Sequence, residues 1–142
     1  VGVELDASHL FWQQMHPVAV ARDLGPLVFH AAAKDVRINP HAAINGVLDN
    51  SFRRLSTDEP RTNLGGDEWA NEWPKPSAWD FVALGKGHDE AYWTTFLEAL
   101  RAIDPDMWVN IEHEDTELGR EDGVAVAARV LRAADAALPH RA

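Results

Sequence analysis

Asp6-Ala7-Ser8-His9 closes one apolar run of the chain. Phe29-His30-Ala31-Ala32-Ala33-Lys34-Asp35 closes a second, and Glu112-His113-Glu114-Asp115 a third. Carboxylates bind hard cations, and imidazoles and carboxylates move protons. In parallel α/β proteins the C-terminal ends of the strands gather at one face, and active sites form there. The pattern therefore points to a metal-dependent enzyme whose acids and bases stand at strand ends.

Each group also has a plainer reading. Asp6 and His9, at i and i+3, suit a cation ligand and a substrate contact, yet a turn aspartate beside a surface histidine has the same spacing. Alternation along a strand puts His30, Ala32 and Lys34 on one face, with Asp35 opening the loop. His30 could equally be a core histidine satisfied by a neighbour. Lys34 and Asp35 could hold a hydroxyl or phosphate group, or form a simple ion pair. Glu112 is the strongest single candidate, because it follows a hydrophobic strand and opens an acidic cluster. Negative charge gathered at the mouth of a sheet is costly unless a cation or protons offset it. Glu114 and Asp115 read as solvated loop residues. Gly85-Lys86-Gly87 could bring backbone close to an anionic ligand, though a tight turn between strand and helix explains it as well. His88 and His113 stand near enough to the mouth to support it from behind. His16, His41 and His140 look incidental.

The elements that must position these groups follow from hydrophobic pattern and punctuation. Residues 1–6 read as a first strand. A helix over 17–24 starts at Pro17 and stops at Gly25-Pro26. Residues 27–33 form a second strand, although three alanines alone would also permit helix. Residues 36–78 form a long irregular stretch punctuated by Asn45-Gly46, Pro60, Gly65-Gly66, Pro74 and Pro76, within which 40–44 could supply a short helix. Such a loop is usually functional; Trp69 and Trp73 could pack over a pocket or merely anchor it. Residues 79–84 form a third strand. Asp89 can cap a helix carrying Tyr92, Phe96, Ala99, Leu100 and Ile103 at helical spacing. Residues 107–111 form a fourth strand, and Val124 to Leu138 a last amphipathic helix. The β-α rhythm argues for parallel strands with right-handed crossovers. Four parallel strands are about half of an eight-stranded barrel, which needs about 250 residues in all.

Composition narrows the class. The 142 residues suit one α/β domain spanning 1–142, and 46% hydrophobic content suits a globular fold. A net charge of −10 argues against sequence-independent nucleic-acid binding, which needs basic surface. The chain has no cysteine, so thiolate metal sites and disulfides are out. No apolar run approaches the roughly 18 residues of a membrane span. No secretory signal is visible, so a cytoplasmic location is the default. Val1 has no initiator Met before it and already reads as part of a strand, so residues upstream are expected.

Taken in order, these segments resemble the sugar phosphate isomerase/epimerase family, the xylose-isomerase-like TIM barrels, over the C-terminal half of the barrel. Residues 5–13 resemble the family's fifth-strand motif and 29–35 its sixth. Residues 46–49 and 79–89 resemble the loop and seventh strand that follow, and 110–115 the eighth. The resemblance implies Asp6, His30 and Glu112 as metal ligands, with Glu112 also the acid/base. It implies His9 as a catalytic and substrate contact; Lys34, Asp35 and Arg37 are the further candidates for binding substrate. Two departures stand out. The usual sixth-strand ligand position is Ala32, with His30 two residues deeper, and the family's other catalytic Glu belongs to a fourth strand that this chain lacks.

The expected activity is a divalent-metal sugar or sugar phosphate isomerase or epimerase, using Mn²⁺, Mg²⁺, Co²⁺ or Zn²⁺. The metal would stabilise an enediolate while Glu112 moves a proton beside the carbonyl. A sugar or inositol dehydratase would use the same metal and base. Phosphodiester cleavage in the manner of endonuclease IV-like repair enzymes fits poorly, since their sites hold many more histidines. A half-barrel inactive alone is the non-enzyme reading. It would bury its open edges as a homo-oligomer or against a complementing N-terminal half-barrel.

Overall fold

The computed structural model describes residues 1–48, 74–115 and 117–139. They fall into two units, one of residues 1–38 with 80–142 and one of residues 39–79. The chemistry-bearing residues all belong to the first.

In the first unit, β1 (Val3–Asp6) runs into a short helix, α1 (Ala7–Phe11), which the hydrophobic pattern did not reveal. Asp6 makes the junction. Its Oδ1 accepts from the Ser8 amide at 2.8 Å and from Ser8 Oγ at 2.7 Å, capping the helix start. Helix α2 (Pro17–Leu24) has Pro17 at its first position and His16 as its cap. A single 3-10 turn leads into β2 (Val28–Ala33), and after Lys34 the chain resumes as β3 (Asp35–Ile38). Strand β4 (Trp79–Val82) starts at the boundary of the second unit. Helix α4 (Glu90–Ile103) is capped by Asp89, which accepts from the Tyr92 amide at 2.9 Å. Strand β5 (Val109–Ile111) and helix α5 (Arg120–Ala136) complete the unit. Helix α5 starts four residues before its first apolar position, with Glu121 and Asp122 in its first turn, where the helix dipole favours acids. The second unit contributes a short α3 (Ala42–Asn45), a bond from Asn39 Nδ2 to Ser77 Oγ, and one from Trp79 Nε1 to the Val47 carbonyl. Asp49, Pro60, Gly65-Gly66, Trp69 and Trp73 lie outside the described residues, as does His140.

The sheet is parallel, in the order β1-β2-β5, while β3 and β4 pair separately. Consecutive barrel strands would instead place β4 between β2 and β5. Lys34 separates two pieces of one extended stretch, β2 and β3. The first piece takes β5 as its neighbour, and the second takes β4.

Register sorts the side chains. Glu4 lies opposite His30, Asp6 opposite Ala32, and Ala32 opposite Asn110. Paired residues share a face, so these form the polar side of the sheet. On the other side Leu5, Ala31 and Ala33 are buried with the apolar faces of the helices. Alanine is a weak strand former. Here its small size leaves room for helices to approach, and packing overrides propensity. Phe11, Trp93, Phe96, Leu97 and Leu100 fill this core, with Phe11 stacked on the His88 ring at 3.8 Å between centroids.

Candidate functional site

Three strand ends of the polar face supply the site. Asp6 ends β1, Lys34 follows β2, and Glu112 follows β5. The Glu112 amide donates to the Ala33 carbonyl at 3.4 Å, which carries the β2–β5 ladder to the row where Lys34 and Glu112 meet. Lys34 is only 3% exposed. Its ammonium lies 2.9 Å from Glu114 Oε1 and 3.5 Å from Glu112 Oε2, and 4.2 Å above the centre of the Phe81 ring. The His9 ring meets the same Phe81 edge-on at 5.9 Å, and His9 Nε2 stands 3.4 Å from Asp6 Oδ2. Phe81 thus joins two acid/base groups, Asp6-His9 on one side and Lys34-Glu112-Glu114 on the other.

His30 stands apart from this group. Its Nε2 lies 2.6 Å from Asn110 Oδ1, and 3.9 Å from Glu4. It is four residues before Lys34, about 13 Å along an extended chain. Glu112 meets Lys34, not His30, so the expected trio of Asp6, His30 and Glu112 is not drawn together. Among the described residues no group of three or more His, Asp or Glu could hold a metal ion. The donors present do not fit the ligand set that the resemblance implies. Asp6 Oδ1 is engaged by Ser8, both nearby glutamates lie against an ammonium, and Ala32 offers no donor.

Asp35 corrects a second expectation, that it contacts substrate. It is fully buried. Oδ2 accepts from the amides of Gly85, Gly87 and His88 at 3.0, 3.0 and 2.9 Å. Oδ1 accepts from the Val36 amide at 2.8 Å and lies 2.7 Å from His88 Nδ1. The glycine turn does approach an anion, and the anion is this internal carboxylate. Gly87 must be glycine, because a Cβ there would collide with the Val36 carbonyl and with Asp35 itself. His88 supports Asp35 rather than the cluster at the strand ends. The His113 ring packs on Gly123, with Nε2 3.4 Å from the Leu118 carbonyl, and so braces the start of α5.

Arg37 belongs to an ion-pair network. Its guanidinium lies 3.3 Å from Asp80 and 2.9 Å from Glu117, while Lys86 lies 2.9 Å from the other Glu117 oxygen and 3.2 Å from Asp115. The Glu117 carboxyl is held down to about 2, first by Arg37 and then by Lys86. Burial by itself would raise Asp115. The amides of Ala83, Glu117 and Leu118 and the Lys86 ammonium outweigh burial and hold it below its ordinary value of 3.8. Asp115 is not the solvated loop residue that its place in an acidic run suggests: it is buried and accepts from the Ala83 amide at 2.8 Å.

Both carboxyls bind protons less readily in the folded chain than in the unfolded one. Their contribution is complete above the unfolded values and is lost as pH falls towards about 2. The urea midpoint, followed by tryptophan fluorescence, is expected to drop steadily below about pH 4.5. Asp115→Asn is expected to flatten that drop. A midpoint indifferent to acid would show that these pairs do not support the fold.

Sequence reading missed Phe81 and Glu114 as parts of the cluster. Phe81 had a signal, an aromatic residue inside a strand next to the expected mouth. Glu114 had none beyond its place in an acidic run.

The molecule is thus an α/β protein with a small parallel sheet and an acid/base cluster at the sheet's C-terminal edge. No family model matches the chain. It is similar to the uncharacterized protein YfiH of Bacillus subtilis (strain 168), with 32% identity over 133 residues. The match covers 93% of this chain and 37% of that protein, so the chain spans little more than a third of its relative's length. No helix among the described residues is long and apolar enough to cross a membrane.

Proposed function

We propose that this chain carries part of the active site of a sugar or sugar phosphate isomerase or epimerase. One observation carries the reading. A buried lysine facing two glutamates and a histidine paired with an aspartate meet on one aromatic ring at the C-terminal edge of a parallel sheet, where α/β enzymes hold their substrates. Proton transfer next to a carbonyl needs a carboxylate base, a positive partner for the developing oxyanion and an apolar wall that excludes water. Glu112, Lys34 and Phe81 supply these three. His9, more than half exposed and oriented by Asp6, is placed to touch substrate hydroxyls.

The finer reading of the fold, half of a (β/α)8 barrel, belongs to this proposal. The open polar face of the sheet supports it, with Glu4 58% and His30 37% exposed on the side a barrel would enclose. A second copy or a complementing half-barrel would cover that face. A divalent metal on this scaffold would need ligands beyond the described residues.

Hydrogen exchange tests the activity. The whole protein is incubated in deuterated water with D-fructose, D-tagatose and their 6-phosphates, and the sugars are followed by proton NMR. Loss of signal at the carbon next to the carbonyl is the expected result. No exchange in any of the four, with or without added Mn²⁺, would overturn the proposal.

A further inference from the structure

Lysine is almost never fully buried unless it is paired. At 3% exposure Lys34 is buried among a ring face and two carboxylates. Stability does not explain the choice, because replacing buried ion pairs by apolar side chains is often neutral or stabilising. The buried ammonium instead stands among acid/base groups at a strand end, the place where α/β proteins hold their ligands. The two carboxylates differ in kind. Glu114 is 56% exposed and the closer at 2.9 Å, whereas Glu112 is 39% exposed and sits at 3.5 Å. An incoming oxyanion displaces the exposed partner most readily, since solvent takes up the released carboxylate.

The cation that chemistry demands at this point is therefore already built into the chain. Where the resemblance implies a divalent metal, the structure offers Ala32 in the row of Asp6, a His30 held by Asn110, and glutamates facing an ammonium. We infer that the Lys34 ammonium is the electrophilic group of the proton-transfer reaction and takes the charge-stabilising place of a metal ion. The inference rests on the proton-transfer reading above. In the step it describes, Glu112 takes the proton from the carbon next to the carbonyl. The C–H electron pair becomes the new carbon–carbon double bond, and the carbonyl π electrons move onto oxygen. That oxygen faces Lys34 in the place of Glu114 Oε1. Glu112 then returns the proton to the former carbonyl carbon, while the hydroxyl of the first carbon passes its proton to the former carbonyl oxygen and becomes the new carbonyl, so the isomer forms with nothing oxidised or consumed. The Phe81 face holds the ammonium by cation–π attraction and keeps water away, which strengthens the charge interaction.

The test uses the whole protein, stripped with a chelator, and the same four sugars. Stripped wild type is expected to keep its exchange rate within about twofold on addition of Mn²⁺, and equilibrium dialysis is expected to find no stoichiometric Mn²⁺. Lys34→Met is expected to lower kcat at least about a hundredfold, the scale of removing one oxyanion donor, with KM nearly unchanged. Lys34→Arg keeps the charge and is expected to retain more activity than Lys34→Met, which also serves if the Met variant does not fold. Exchange that vanishes on stripping and returns with Mn²⁺ overturns the role of Lys34 while sparing the proton-transfer reading. So does a Lys34→Met rate within about threefold of wild type, since one oxyanion donor is worth far more. Failure of every sugar to exchange under any condition removes the proton-transfer reading, and this inference with it.

Discussion

Glu112→Gln is expected to lower the turnover of the whole protein at least about a hundredfold, the lower end of what a positioned acid or base contributes. The substitution is chosen for what it leaves alone. Glutamine has the size of glutamate, and its carbonyl oxygen can still face the Lys34 ammonium, 3.5 Å away in the native protein. The strand, the ladder bond to Ala33 and the Phe81 contact are untouched. Only the ability to take a proton is lost. Glu114→Gln is the paired control, since Glu114 also lies against Lys34 but is more exposed. A merely electrostatic role, holding Lys34 in place, predicts similar losses in both variants. A proton-transfer role predicts a large loss in Glu112→Gln alone, with deuterium exchange at the substrate carbon falling in step with turnover. Near-normal steady-state turnover in Glu112→Gln would remove this residue from the mechanism, and a large loss confined to Glu114→Gln would make Glu114 the base.

How far the chain announces this arrangement differs from residue to residue. Glu112, Lys34, Asp6 and His9 were legible because each closes an apolar run, and period-2 alternation places alternate residues on one face. The cap of α4 at Asp89 and the proline start of α2 follow from local chemistry that needs no tertiary information. His30 falls outside the cluster for a reason of scale. Sharing a face says nothing of depth, and four residues of strand separate it from the row where Lys34 meets Glu112. The short α1 was written in Asp6 and Ser8, whose cap hydrogen bonds compete with reading Asp6 as a free ligand. The pairing of β4 with β3 had no local signal, since strand order depends on long-range contacts. Asp35 illustrates the same gap most sharply. Its partners at Gly85, Gly87 and His88 lie about fifty positions away, with |i−j| of 50, 52 and 53, and nothing near Asp35 reveals them.

That remoteness makes Asp35 the residue whose loss should most damage the fold. Asp35→Ala is expected to destabilise the protein by about 3–5 kcal/mol, the scale of removing one side of a buried hydrogen-bonded network and leaving its donors unmatched. Four backbone amides and His88 Nδ1 converge on one fully buried carboxylate. Each orphaned donor costs about 1–3 kcal/mol where water cannot reach it. Partial relaxation of the turn and entry of water keep the total below the simple sum. Whole-protein stabilities are only about 5–15 kcal/mol, so the alanine variant can be largely unfolded. Asp35→Asn keeps the shape and one acceptor oxygen but turns an amide N–H towards donors, and is expected to cost less than alanine. His88→Ala removes one hydrogen bond and the stack on Phe11, leaving the amide cradle filled, and is expected to cost least of the three. Urea midpoints measured by tryptophan fluorescence order the set. If Asp35→Ala unfolds within about 1 kcal/mol of wild type, the carboxylate is not what holds β3 against the glycine turn, and the cradle seen around it carries little of the fold's stability.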